Sequence, residues 1–326
     1  MLINFTGDWV PLRALSAGLD GAGSIGNLEC VFDDGIVVSD KAYTSILPVM
    51  YLGNVKKDAF VALSLANNHV YDAGLDTFNH MLSMLRDQCP GVQFFGTVEK
   101  PYADLSVGGR RIAVIGSLEP CHSRGKEIFK QEDVLTLIKK IRGEFDLVYV
   151  YPHWGKEGEY TRYPAPWQQK LAKCWIDAGA DGVFGSHSHV FQGREYYKEK
   201  PIYYSLGNFF FPHPESKLYE GTDVGLAVGV DDDGTKVVER FIKNVDVIAE
   251  EVALEELRGK LGVISAPLKD WTIWKWAKAI GPFNLKKNTA SWKIRLRKNF
   301  IKTFPKFLVW QMLPKTLLFR IAGLCH

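Results

Sequence analysis

A chain of 326 residues, 46% of them hydrophobic, can bury a sizeable core as one large domain or two, which excludes a fibrous or low-complexity protein. Five cysteines, Cys30, Cys89, Cys121, Cys174 and Cys325, lack C-x-x-C spacing, which excludes a thiolate zinc knuckle, and their odd number argues for a reducing compartment over a disulfide framework. The net charge of +3 hides an asymmetry: twelve basic residues and no acidic one follow Asp270, so the rest of the chain carries −9. That change of sign separates an acidic body, 1–249, from a connector and basic extension, 250–326. Neither a secretion signal nor an apolar run of membrane-spanning length is evident, and a cytoplasmic location is expected. The absence of a G-x-x-x-x-G-K-[ST] loop excludes an ATP-driven ligase of the P-loop kind.

In chain order, the apolar run Leu2–Phe5 leads to Gly7 and Asp8 and then to a glycine-rich loop with Gly18, Gly21, Gly23 and Gly26. The alternation over Asn27–Phe32 predicts a short strand with Asn27 and Glu29 on one face. Residues 41–56 have helical apolar spacing despite Pro48, and Phe60–Ala66 reads as a buried strand. Leu75, Phe78, Met81, Leu82 and Leu85 place a helix over Gly74–Cys89, with Cys174 later counted as core in a second helix, Pro164–Ala178. Between them lie a strand at Val92–Phe95, a hairpin of Ala103–Val107 with Arg111–Ile115, a helix near Glu132–Arg142 and a strand at Asp146–Tyr151. Strands near Ile202–Ser205, Val224–Val230 and Val237–Asp246 follow, the last two joined through Asp231–Gly234. The class is α/β, turning β-rich towards residue 246.

Polar residues cluster where the apolar runs end. Gly185-Ser186-His187-Ser188-His189 puts two imidazoles on one turn, and Asp8, Asn68, His69 and His153 each follow a predicted strand. In open α/β sheets such strand ends are where ligands bind. Asp8, Glu29, Asn68, His69, His153, His187 and His189 form a mixed oxygen and nitrogen set that suits one or two ions of Mn, Fe or Zn. A central carboxylate could bridge two ions about 3.5–4 Å apart, the separation used for in-line displacement at phosphorus. His69 is most useful without a metal, as a proton donor oriented by Asp72 three residues on. His80, on the predicted helix face near Met81, reads as a partly buried or surface histidine, and His122, His213 and His326, in loops or at the terminus, lack a carboxylate at ligand spacing.

The chain resembles the capsule-synthesis proteins of the CapA, poly-γ-glutamate type, a branch of the calcineurin-like metallophosphoesterase superfamily. The resemblance rests on six pieces in family order: Gly7-Asp8, Asn27-Leu28-Glu29, Ala66–Gly74, His153–Glu157, Gly185–Val190 and Tyr204–Phe209. It implies a four-layer α/β/β/α sandwich with metal ligands Asp8, Glu29, Asn68, His153, His187 and His189. Two departures stand out against the wider superfamily: Val10 occupies the place of a second ligand, and Glu29 that of a bridging aspartate. One metal shell is therefore thinner.

The function expected is a metal-dependent hydrolase of phosphate esters in capsule or surface-polymer synthesis, with His69 and Asp72 catalytic. The alternative is a non-catalytic accessory of a polymer-synthesis or export complex that binds an anionic polymer. From Trp271 onward five tryptophans alternate with the basic residues, a combination that suits an anionic membrane surface or polymer, or an appendage packing its aromatics on the body. The partners expected are a phosphorylated substrate or an anionic polymer, with peripheral contact at the inner face of the membrane through 271–326 and no nucleic acid.

Overall fold

A computed structural model of the chain describes residues 1–13, 19, 21–35, 44–55, 60–120, 125–211, 219–244, 249–251 and 254–280. The first half contains β1 (Leu2–Trp9), β2 (Ser24–Leu28), β3 (Val31–Phe32), β4 (Ile46–Leu47), α1 (Leu52–Val55), β5 (Phe60–Ser64), α2 (Leu75–Gln88), β6 (Gln93–Phe95), β7 (Tyr102–Val107) and β8 (Arg110–Leu118). The second contains α3 (Val134–Ile141), β9 (Leu147–His153), α4 (Pro166–Asp177), β10 (Gly182–Phe184), β11 (Arg194–Tyr197), β12 (Lys200–Tyr203), β13 (Asn208–Phe210), β14 (Val224–Asp231), β15 (Val237–Asn244), β16 (Ala249–Glu251) and α5 (Leu254–Ser265).

Two sheets result. The first has the order β16-β15-β14-β1-β2-β5-β6, with β13 also paired to β1, and the second the order β11-β12-β10-β9-β8-β7. The segment β1-β2-β5-β6 is parallel, as is β8-β9-β10-β12. Parallel neighbours need crossover connections, which α2, α3 and α4 supply, and each run of parallel strands therefore ends along one edge of its sheet. Burial on both faces explains why β9 reads as an unbroken apolar run, all seven of its residues being buried. The two hairpins, β7–β8 and β14–β15, form as the turn residues predict.

Three apolar layers hold the sandwich together. Between the sheets lie Phe5, Phe95, Tyr149, Tyr151, Phe184 and Val228. Phe5 stacks on Phe184 at 3.9 Å, and the Tyr151 hydroxyl donates to the Thr6 carbonyl across the gap at 2.5 Å. On the outer face of the first sheet α2 sets Phe78, Met81 and Leu85 against Trp9 and Leu63. On the outer face of the second, α3 and α4 set Val134, Ile138 and Trp175 against Val148 and Val150. The order of layers is α/β/β/α.

Three local readings are corrected. Within the described part of 41–56, Ile46–Leu47 is a strand and helical turns begin only at Val49, because Pro48 forces extended backbone on its predecessor and cannot donate inside a helix. The strand expected over Asn27–Phe32 ends at Leu28, and β3 pairs instead with β4. Cys174 is exposed on α4. The connector 250–270 packs on the body: Leu261 and Ile264 of α5 join the layer between the sheets, and Leu268 joins the outer layer. The Trp271 indole donates to the Pro164 carbonyl at 2.8 Å. Met1–Ile280 is one compact unit, and the rest of the basic extension, 281–326, lies outside the described residues. Among the described residues no helix is long and apolar enough to cross a membrane.

Close backbone approaches explain two motif glycines. The Asp8 amide donates to the Gly207 carbonyl at 2.9 Å, and a methyl group at Gly7 would lie 1.7 Å from that same oxygen. Gly207 itself has φ +71°. Gly7→Ala should therefore cost about 3 kcal/mol or more in denaturant unfolding, above the usual range for overpacking because backbone is what must move. Gly259→Ala on the open face of α5, where a methyl meets nothing within 4 Å, should be neutral or stabilising by up to about 1 kcal/mol. Equal effects of the two changes would contradict the packing described.

Candidate metal centre

The C-terminal ends of the parallel strands deliver the side chains. Asp8 is the penultimate residue of β1, Glu29 follows β2, His153 ends β9, and His187 and His189 lie on the turn after β10. That turn is tight. A methyl group at Gly185 would sit 2.1 Å from the Tyr204 carbonyl, and His187 and His189 adopt φ of 96° and 59°, a region non-glycine residues rarely occupy. Each such residue costs about 1–3 kcal/mol, which the surrounding structure must offset.

Two triads of donor atoms form, Glu29 with His153 and His187, and Asp8 with Glu29 and His189, the atoms of each lying within 4.8 Å of one another. All five residues are buried, and Glu29 belongs to both triads. Nδ1 of His187 lies 3.0 Å and Oε1 of Glu29 3.5 Å from Nε2 of His153. Asn68, half-buried, places its Oδ1 2.6 Å from the same nitrogen. Asp8 accepts from the Asn27 amide at 2.9 Å and from the His187 backbone N–H at 3.1 Å. Among the described residues no hydrogen-bond donor reaches either oxygen of Glu29. A fully buried carboxylate without a donor, bracketed by imidazoles and a second carboxylate, is what a bound cation would satisfy, and the mixed donor set suits Mn, Fe or Zn.

His69 sits beside this cluster. Its Nδ1 lies 2.6 Å from Oδ2 of Asp72, which also accepts the Ser45 amide at 2.7 Å. The His69 backbone N–H donates to the Asn67 Oδ1 at 3.0 Å, and the Asn67 amide donates to Asn27 at 3.0 Å, so a chain of hydrogen bonds joins this pair to Asp8. Val10 is buried in the outer layer among Trp9 and Phe209 and points no donor at the centre. His80 is exposed on α2.

Residues 9–213 match the family described as Bacterial capsule synthesis protein PGA_cap. The chain belongs to that family. It is 33% identical over 207 residues to the capsule biosynthesis protein CapA of Bacillus anthracis, covering 59% of this chain and 49% of the relative. It is 31% identical over 164 residues to the PGA biosynthesis protein CapA of Bacillus subtilis (strain 168), covering 47% and 43%. The chain thus spans about half the length of the curated relatives it matches. Among solved structures it overlaps a phosphatase of Mycoplasma pneumoniae at 12% identity and a TM-score of 0.46, over 79% of this chain and 96% of that one.

Within this PGA_cap member three further residues reach the centre. Asn27 bridges Asp8 and His153, its Nδ2 lying 2.9 Å from Asp8 Oδ1 and 3.2 Å from His153 Nδ1. Ser186 Oγ lies 3.1 Å from His153 Nδ1, and Asn208, in register with Asp8 on β13, lies 2.9 Å from His189 Nδ1. Asn27 and Asn208 stand inside motifs legible in the sequence, whereas nothing local marks Ser186 as a partner of a histidine 33 residues away.

Burial, and then the neighbouring Asp8 charge, push the Glu29 carboxyl well above its ordinary value. Burial also raises Asp8, opposed by His189, the Asn27 amide and the His187 N–H. A carboxylate whose value is raised by folding holds a proton that the unfolded chain releases, so the metal-free protein should lose stability as pH rises above the ordinary glutamate value of 4.5. Glu29→Gln should flatten that loss in chemical denaturation between about pH 5 and 8 and raise metal-free stability at neutral pH. The same substitution should remove the stabilisation that Mn²⁺ gives, about 2.7 kcal/mol at a hundredfold excess over Kd in the unaltered protein. A Glu29→Gln variant still stabilised by Mn²⁺ to the same extent would contradict the assignment of Glu29 to both triads.

Proposed function

We propose that this chain is a metal-dependent hydrolase of phosphate esters acting in the synthesis of a bacterial capsule or related surface polymer. The observation that carries the reading is the shared carboxylate: Glu29, buried and without a donor among the described residues, belongs to two triads that meet at the strand ends. Membership of the capsule-synthesis family supports the setting, as do the names of the two Bacillus relatives. Divalent ions bound there would polarise a phosphoryl oxygen and acidify water.

The chain's own residues would do the rest. Asp8, Glu29, Asn68, His153, His187 and His189 would hold the ions, and the strained turn after β10 fixes two of these imidazoles, one for each triad. Asn27, through Asp8 and His153, keeps one ligand of each triad in place. His69, held through Nδ1 by Asp72, presents its other ring nitrogen to protonate the departing oxygen. Its burial, with 8% of its surface exposed, limits competing proton exchange with solvent.

A second reading is favoured by one observation. Because Val10 lies in the core, the His189 side of the centre has one donor fewer, which suits an accessory protein that binds an anionic polymer without turning it over. The twelve basic residues after Asp270 would add attraction for such a polymer or for an anionic membrane surface.

Elemental analysis with a screen of phosphomonoesters and phosphodiesters separates the readings. The purified protein should hold a transition metal that the double change His187→Ala and His189→Ala removes. His69→Ala should retain the metal and lower turnover by about 10²–10⁴-fold. Loss of metal from His69→Ala would make His69 a ligand, and absence of turnover with every metal supplied would leave the accessory reading.

A further inference from the structure

The orientation of Asn208 is settled by its surroundings. Its Nδ2 donates to the Thr222 carbonyl at 3.0 Å, which leaves Oδ1 facing His189 Nδ1 at 2.9 Å. An amide oxygen only accepts, so Nδ1 of His189 carries the proton, and the nearby Asp8 Oδ2, 3.5 Å from Nδ1, is a second acceptor on that side. In the neutral ring the lone pair is then on Nε2. That nitrogen faces Oε1 of Glu159 at 4.0 Å. At 4.0 Å the two groups stand beyond the reach of a hydrogen bond, whereas one ion with bonds of about 2.0–2.2 Å can touch both.

Glu159 is held at this position from both sides of its loop. The Tyr160 amide donates to the Ser188 carbonyl at 2.8 Å, tying the loop after β9 to the turn that carries both histidines. The Tyr160 ring stacks on His189 at 5.3 Å and on Tyr219 at 4.0 Å. The Glu159 side chain is 18% exposed, so it lies at the rim of the buried cluster, and its charge is among those that raise Glu29. Val10, buried in the apolar outer layer, supplies no donor.

We propose that Glu159 is a protein ligand to the ion on the His189 side of the centre, taking up the donor role that Val10 leaves vacant. The inference rests on the metal reading given under Proposed function. It adds a fourth protein donor to Asp8, Glu29 and His189, supplied by a loop and not by a strand end. It also gives Asn208 a positioning role: by accepting from Nδ1 it directs the Nε2 lone pair of His189 towards the ion.

The test is a Mn²⁺ titration of the full metal-free chain by calorimetry, with ions counted by elemental analysis, for the unaltered protein, Glu159→Gln, Glu159→Asp and the exposed control Glu132→Gln. The unaltered protein should take up two ions. Glu159→Gln should weaken one of them by at least about tenfold and leave the other unchanged, Glu159→Asp should recover part of the loss, and Glu132→Gln should match the unaltered protein. Metal-free thermal midpoints of the three variants should be no lower than that of the unaltered protein. Two unchanged affinities in Glu159→Gln would overturn the inference alone, as would a lower metal-free midpoint that explained the weakened binding by misfolding. Failure of the unaltered protein to bind Mn²⁺ would overturn the metal reading and this inference together.

Discussion

The structure is organised around a buried carboxyl group for which the described residues supply no hydrogen-bond donor. Glu29 is fully buried, no N–H or O–H of the described residues reaches its oxygens, and Asp8 beside it is equally buried. Leaving such a pair uncompensated is costly, and pairing or metal coordination is the usual remedy. The remaining donors leave that cost unmet, and a cation would meet it. Asn27 and the His187 amide satisfy Asp8, Asn208 fixes His189, and Ser186 lies against His153, yet none of these groups is turned onto Glu29.

Holding this arrangement requires strain elsewhere. His187 and His189 sit in left-handed backbone, Gly7 is needed where β1 passes the Gly207 carbonyl, and Gly207 where it passes the Val190–Phe191 backbone at φ +71°. The compensation is the packing of the sandwich: aromatic residues from both sheets interlock at Phe5, Tyr149 and Phe184, and Trp154 stacks on Trp175 beneath the histidine turn. Rigid layers and a strained rim are therefore one design. The rim residues keep their conformation because the strands that carry them cannot shift without opening two apolar layers at once.

Much of this could be read in the chain. The sequence of strand, loop and helix, the two hairpins and the candidate ligand residues at strand ends follow from apolar runs broken by Gly, Asn and Asp, since those local signals coincide with the real turns. Residues 41–56 were less legible because apolar spacing there reflects burial of short irregular pieces, and Pro48 overrides the period. The role of 250–270 was hidden because charged residues on the exposed side of α5 mask Leu261 and Ile264, which are buried. Glu159 carries no local mark, and nothing local pairs Ser186 with His153. Their proximity to His189 and His153 is created by the meeting of β9 and β10, and only three-dimensional register reveals it.

The central claim is that Glu29 is the carboxylate common to two cation sites. Anomalous diffraction from a crystal of the protein grown with Mn²⁺ tests it most directly. The account predicts two anomalous peaks, both within bonding distance of Glu29, one beside His153 and His187 and the other beside Asp8 and His189. A single peak that Glu29 does not touch, or none near these residues, would contradict it.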